Sequence, residues 1–334
     1  MIFLMVVVGG ITRLTLSGLS ITEWKPVVGV LPPLSAADWA VEFAKYKEVP
    51  EYRAVHFAMS LAEFKGIYYW EYFHRLLGRL IGVAFAAPFA CFLVWRRLPR
   101  RLVLPLAGIL LLGLAQGLLG WYMVESGLAD RVEVSQYRLV AHLALALAIY
   151  SAIFWVALAI GGSPAAPDPS SSPGWRRAAE VVLVLVAVTI LAGGFVAGTR
   201  AGLTYNTFPL MDGRLVPAGY NQLQPFYLNW FENIAAVQFD HRVLAFATFT
   251  AVLLAWTAGL RTMLPKPARI ALHLLMSAAA LQIALGISTL LLVVPVPLAA
   301  AHQAGAVLLL TTAIYLRHSL RRAAVMDVGA RAAI

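Results

Sequence analysis

Of the chain's 334 residues, 61% are hydrophobic and only 13% charged, and the mean hydropathy is +0.78. This composition excludes an ordinary soluble domain. The formal net charge of +10 does not point to nucleic acid, because the Lys and Arg residues are scattered along segments that flank apolar runs. The single cysteine, Cys91, sits inside an apolar run, which leaves no internal disulfide and no cysteine-based metal site.

In chain order, a short apolar run at Met1–Gly10 is followed by longer ones near residues 70–95, 103–124, 137–160, 179–199, 236–260, 270–293 and 298–316. Each long run has the roughly 20 residues needed to cross ~30 Å of hydrocarbon. With the short run counted, the chain reads as an all-α integral membrane protein of eight transmembrane helices. The counterpart of the short run, Glu180–Gly194, is longer. The first helix is therefore expected to continue upstream of Met1 or to be visibly short. No cleavable signal peptide is evident.

Segments 96–101, 161–180, 261–269 and 317–334 carry 13 Lys/Arg against three acids, Asp168, Glu180 and Asp327. The segments at the other ends of the helices carry nine against eleven. The positive-inside rule places the first group, with the C-terminus, in the cytoplasm or matrix.

The landmarks recur in order. Gly9-Gly10 with Arg13 answers to Gly193-Gly194 with Arg200, His74-Arg75 to His241-Arg242, Gln116 and Gly120 to Gln282 and Gly286, and His142 to His302. A repeat of four helices follows, and an even helix count makes the two halves parallel four-helix bundles. Residues 1–160 form the first bundle, with a long outer loop over 12–69. Residues 161–178 form a Pro/Ser-rich cytoplasmic linker, 179–320 the second bundle and 321–334 a tail.

His74, His142, His241 and His302 are expected near the starts of helices that all run from the outer to the inner face, and so at similar depth. Paired imidazoles on neighbouring helices are what a six-coordinate haem iron takes, and a duplicated pair suggests two haem-sized sites. A lone membrane histidine is more often a packing residue, but four in repeat register are costly to keep without a function. His56, His273 and His318 have no repeat partner and read as surface or interface residues.

Arg13, Arg75, Arg79, Arg200 and Arg242 are candidates for haem propionates, with interfacial anchoring as the equal alternative. Gln116 and Gln282 read as amides that join helices, without chemistry. Glu71 lies one turn before His74, where Gln238 precedes His241. The carboxylate reads either as an acid–base group confined to the first site or as a rim residue paired with an arginine. The outer loop over 12–69, longer than its counterpart, is a candidate lid.

The stretch Gly9-Gly-Ile-Thr-Arg13-Leu-Thr-Leu-Ser-Gly-Leu-Ser-Ile-Thr-Glu23-Trp24-Lys25-Pro26, with Gly29-Val-Leu-Pro-Pro33, resembles heme A synthase. So do Tyr-Tyr-Trp-Glu71-Tyr-Phe-His74-Arg75-Leu-Leu-Gly-Arg79, Phe-Asp-His241-Arg242 and Ala-His302-Gln303, and the likeness covers essentially the whole chain. It implies oxidation of a ring methyl of heme O to the formyl of heme A, for terminal oxidases. His74 and His142 would hold the substrate haem and Glu71 would be the catalytic acid. His241 and His302 would hold a permanent heme b that relays electrons. Lacking a cysteine pair in the first outer loop, the chain resembles the cysteine-free branch typical of proteobacteria and mitochondria. The resemblance implies a bacterial inner membrane, with heme O synthase, oxidase assembly factors and an unidentified electron acceptor or donor as partners.

Two other classes stay open on the residues alone. A di-haem electron-transfer cytochrome would stack its haems across one bundle, with histidines near both faces. A transporter would show broken helices and ionisable groups near the midplane.

Overall fold

The computed structural model describes residues 1–24, 28–130, 132–161 and 173–321. Lys25 and Pro26, most of the expected linker and nearly all of the expected tail lie outside the described residues. The architecture is helical, with eleven α-helices among the described residues: α1 Ile2–Leu14, α2 Ala36–Lys47, α3 Pro50–Val55, α4 Leu61–Val94, α5 Arg100–Asp130, α6 Gln136–Gly161, α7 Pro173–Gly198, α8 Asn229–Glu232, α9 Ile234–Leu260, α10 Lys266–Leu291 and α11 Val296–Ser319. Seven of them (α4, α5, α6, α7, α9, α10 and α11) are long and apolar enough to cross a membrane. The expected eighth, α1, has 13 residues, about 20 Å of helix.

Local chemistry sets the boundaries. Helix α4 starts near residue 61 rather than 70, because Ser60 and Glu63 close a reciprocal capping box ahead of the apolar run. His74 consequently lies well inside α4 instead of within its first residues. The expected lid also contains helices: Ser35 and Asp38 cap α2, and Pro50 opens α3. Asn233 caps α9, its side chain accepting from Ala235 and Ala236 N–H.

Helix α1 packs on α4, α6 and α11. Helix α4 packs on α5, and α5 on α6. Helix α7 packs on α6, α9 and α11, α9 on α10, α10 on α11, and α6 on α11. Val186, Val252, Leu275 and Val307 bury in the main core, which also takes in Val6 of α1 and Leu147 of α6. A separate aromatic core gathers Trp39, Phe43, Tyr46, Tyr52, Phe64, Tyr68 and Tyr72. It fixes α2 and α3 to the early turns of α4 as a cap. Phe43 and Tyr46 both stack on Phe64, at 4.9 and 5.2 Å between centroids. The segment before α9 is ordered by the fully buried Asn229, whose amide donates to the Leu223 and Phe226 carbonyls and accepts from Leu223 N–H.

Candidate functional site

Each of the four repeated histidines rests on a glycine of a neighbouring helix, Gly9 of α1, Gly120 of α5, Gly193 of α7 or Gly286 of α10. A Cβ built on Gly9 would lie 2.8 Å from Cε1 of His74, one on Gly120 3.0 Å from His142, one on Gly193 3.0 Å from His241 and one on Gly286 2.9 Å from His302. No side chain larger than hydrogen fits there without moving the ring. In every case Cε1 is the ring atom nearest the glycine. Nδ1 of each ring is buried and makes no well-formed hydrogen bond, while each residue as a whole stays partly accessible. Helices α4 and α6, which carry His74 and His142, both pack on α1 and on α5, and α9 and α11, which carry His241 and His302, both pack on α7 and on α10.

Gln116 and Gln282 join helices as expected. Each donates its amide to the backbone carbonyl of the histidine on the next helix, His142 and His302, at 3.0 Å. Each lies one turn before the glycine that seats that same histidine. Two imidazoles per pair, without a third ligand, suit an iron whose other four ligands come from a porphyrin. They do not suit zinc, which takes three or four protein ligands. Among the described residues no group of three or more His, Cys, Asp or Glu side chains could hold a metal ion. The donor set fits haem.

Glu71 is buried, with 3% of its surface exposed. Its Oε2 accepts from Ser20 Oγ and Ile21 N–H, both at 2.8 Å, and its Oε1 accepts from Arg75 Nε at 3.0 Å and Nη2 at 2.6 Å. Arg75 also donates to the Ile21 and Glu23 carbonyls and covers the Trp24 ring. The pair thus latches the segment after α1 onto α4. The same latch recurs on α9. Gln238 Oε1 accepts from Arg242 Nη2 at 2.7 Å, its amide donates to the Ala201 and Thr204 carbonyls at 2.6 Å, and Arg242 reaches the Tyr205 and Thr207 carbonyls.

The other arginines fall into two groups. Arg13 and Arg200, at the ends of α1 and α7, converge on Glu133 of the α5–α6 connection at 2.8 and 2.7 Å. Arg13 also donates to the Gly198 carbonyl. Arg79 lies one turn beyond Arg75 and is partly buried. Sequence reasoning did not find Glu133, Ser20 or the seating role of the glycines. Gly120 and Gly286 were visible only as repeat landmarks, and nothing along the chain signals that Glu133 meets two distant arginines.

His318 and His273 contact aromatic neighbours, His318 against Trp155 at 5.1 Å and His273 accepting from Trp256 Nε1 at 3.1 Å. His56, expected at the surface, is half-buried and hydrogen-bonded to Tyr46 at 2.7 Å.

Residues 1–314 match the COX15-CtaA family, described as Cytochrome oxidase assembly protein. A relative from Nitrosospira multiformis named Heme A synthase is 54% identical over 323 residues, covering 96% of this chain and 91% of the relative. A Heme A synthase from Nitrosomonas eutropha is 51% identical over 96% of this chain and 90% of its own length, and one from Rhodospirillum centenum 51% over 96% and 86%. With the match running through both pairs of seated histidines, the chain belongs to the COX15-CtaA family of cytochrome oxidase assembly proteins.

Proposed function

We propose that the chain acts as a heme A synthase, oxidising a ring methyl of heme O to the formyl of heme A, and that the chemistry belongs to the site of His74 and His142. The observation that carries this is the pair of latches. Gln238 shows that a neutral amide is enough to bind the arginine one turn on and to pin the segment after the preceding helix. At position 71 the segment presents two donors instead, so the carboxylate both closes the latch and keeps a buried ionisable group, held by four donors, one turn before His74.

His74 and His142 would take the substrate haem, and His241 and His302 a resident heme b, whose bound iron supplies one-electron chemistry. The glycine seats fix the ring orientations, and the glutamines hold the backbone of His142 and His302. Glu71, held by Arg75, would place a carboxylate one turn before His74, where losing electrons from a methyl carbon builds positive charge. Four donors around its two oxygens keep it in one place. Arg13, Arg75, Arg79, Arg200 and Arg242 supply the positive rim that propionates would meet.

The architecture proposed for this function is two parallel four-helix repeats, with α1 as the eighth membrane helix. The packing of α1, α4, α5 and α6 in sequence, with α1 back on α6, and the like arrangement of α7, α9, α10 and α11, support it. The charge distribution supports a C-terminus on the cytoplasmic side, and the bacterial relatives support a bacterial inner membrane. Heme O synthase, oxidase assembly factors and an electron acceptor are the proposed partners.

The test is production of the chain together with a heme O synthase in a host that makes neither heme O nor heme A, followed by extraction and chromatography of the haems. The account expects heme A to appear and heme B to copurify. Heme B alone, at two per chain, would favour a di-haem electron carrier.

A further inference from the structure

The cap holds a buried polar chain that the proposed haem chemistry leaves unused. Tyr46 Oη donates to Glu51 Oε2 at 3.1 Å and shares a 2.7 Å hydrogen bond with His56 Nδ1. Tyr46 is fully buried and Glu51 is 3% exposed, whereas His56 is half-buried beside the exposed Val55 and Phe57. The chain thus runs from the interior of the cap to its surface. Its inner end packs on the helix that carries Glu71. Tyr46 stacks on Phe64, and Phe64, Tyr68 and Glu71 share one face of α4, so Glu71 lies about 10 Å along the helix from the stack. The charge of Glu71 is felt at both Glu51 and Tyr46.

We propose that Glu51, Tyr46 and His56 form a proton path between the surroundings of Glu71 and the solvent over the cap, the gap between Glu71 and Glu51 being crossed by water. The need is chemical. Turning a methyl into a formyl breaks two C–H bonds at one carbon, and the protons released must leave the site while the electrons pass to the electron acceptor. In one passage Glu51 takes up a proton as the neutral acid and hands it to the Tyr46 oxygen. The phenolic proton moves to His56 Nδ1, and His56 releases one from its other ring nitrogen to water. No net charge stays on the chain.

The groups around it set the working range. Burial pushes Glu51 up to about 7, with the Glu71 and Glu133 carboxylates adding to the rise and Arg13 and the Tyr46 hydrogen bond opposing it. Burial and Glu51, followed by Glu71 and Tyr52, push Tyr46 far above the usual phenol range. Burial and Arg200 hold His56 below its ordinary value, so it is a neutral acceptor at pH 7. Glu51 is the member that exchanges protons near neutrality, which is where a relay group works best.

This inference rests on the heme A synthase reading. The experiment measures conversion of heme O to heme A in membranes of the full chain across pH 5.5–8.5, with heme B content as a second readout. Wild type is expected to show a limb in its rate profile near pH 7. Glu51→Gln is expected to lose that limb and at least about tenfold in rate while keeping heme B. Tyr46→Phe, which removes the hydrogen bonds to both Glu51 and His56 but keeps the Glu51 carboxyl, is expected to do the same. It serves as the test if Glu51→Gln fails to accumulate. An unchanged profile and rate in Tyr46→Phe with normal heme B would overturn the path and leave the enzyme assignment standing. A wild-type chain that never converts heme O would overturn both.

Discussion

Glu71 and Gln238 make the same grip with opposite hydrogen-bond polarity. Both take the guanidinium of the arginine one turn on, at 2.6 and 2.7 Å, yet Glu71 receives Ser20 Oγ–H and Ile21 N–H while Gln238 gives its amide to two carbonyls. Each peptide segment has turned the complementary side to its partner. Neither position is neutral to exchange.

The first prediction follows for Gln238→Glu. It replaces a donor with a carboxylate facing the Ala201 and Thr204 carbonyls, both within 2.6 Å of the present amide nitrogen. Two lost hydrogen bonds and a repelled charge should cost on the order of 2–4 kcal/mol locally. The expected result is a lower unfolding temperature and weaker retention of heme B, measured on purified protein. Gln238→Glu is thus no silent control for Glu71, although sequence symmetry invites its use as one.

The second prediction concerns the seats. Gly193→Ala and Gly286→Ala place a methyl about 3 Å from Cε1 of His241 and His302, close enough to tilt rings that need placement within about 0.5 Å. Both should lose most heme B. Gly120→Ala should keep heme B and lower heme A formation several-fold, since its methyl meets His142 instead. The pyridine haemochrome spectrum gives the heme B content, and chromatography of extracted haems gives the heme A yield. Equal effects of all three substitutions on heme B would break the division of labour between the pairs.

How much of this was legible along the chain follows from what repeats. The histidine pairs, Gly9-Gly10, Gly193-Gly194 and the glutamines stood out because a second copy marked them, and hydropathy located the seven spans, with the start of α4 the end it missed by most. The cap did not, since α2 and α3 are short, half polar and present once. The early start of α4 was readable only through Ser60 and Glu63. Glu133 was invisible for a plainer reason: a carboxylate in a short connection carries no periodic signal, and its two arginines lie 120 and 67 positions away.

The third prediction is a pH dependence of the cap. Glu51 ionises near 7 when folded, against an ordinary 4.5. The folded state therefore binds more protons between those values, and stability falls as pH rises through that window, then levels off above it. The full effect is about 3 kcal/mol. Limited proteolysis of the cap should quicken from pH 5 to pH 7 in wild type. Glu51→Gln should remove most of that slope, and an identical slope in the variant would count against a buried, neutral Glu51.

The central claim is that the carboxylate of Glu71 is there for chemistry. Glu71→Gln keeps the size of the side chain and one oxygen for Arg75, but leaves Ile21 N–H facing an amide donor, an expected local cost of about 1–3 kcal/mol. The decisive measurement is chromatography of the haems extracted from this variant, purified from cells that supply heme O. The account predicts unchanged heme B, accumulated heme O and little heme A. Heme A at the wild-type level, with heme B intact, would contradict it and make Glu71 a latch residue like Gln238.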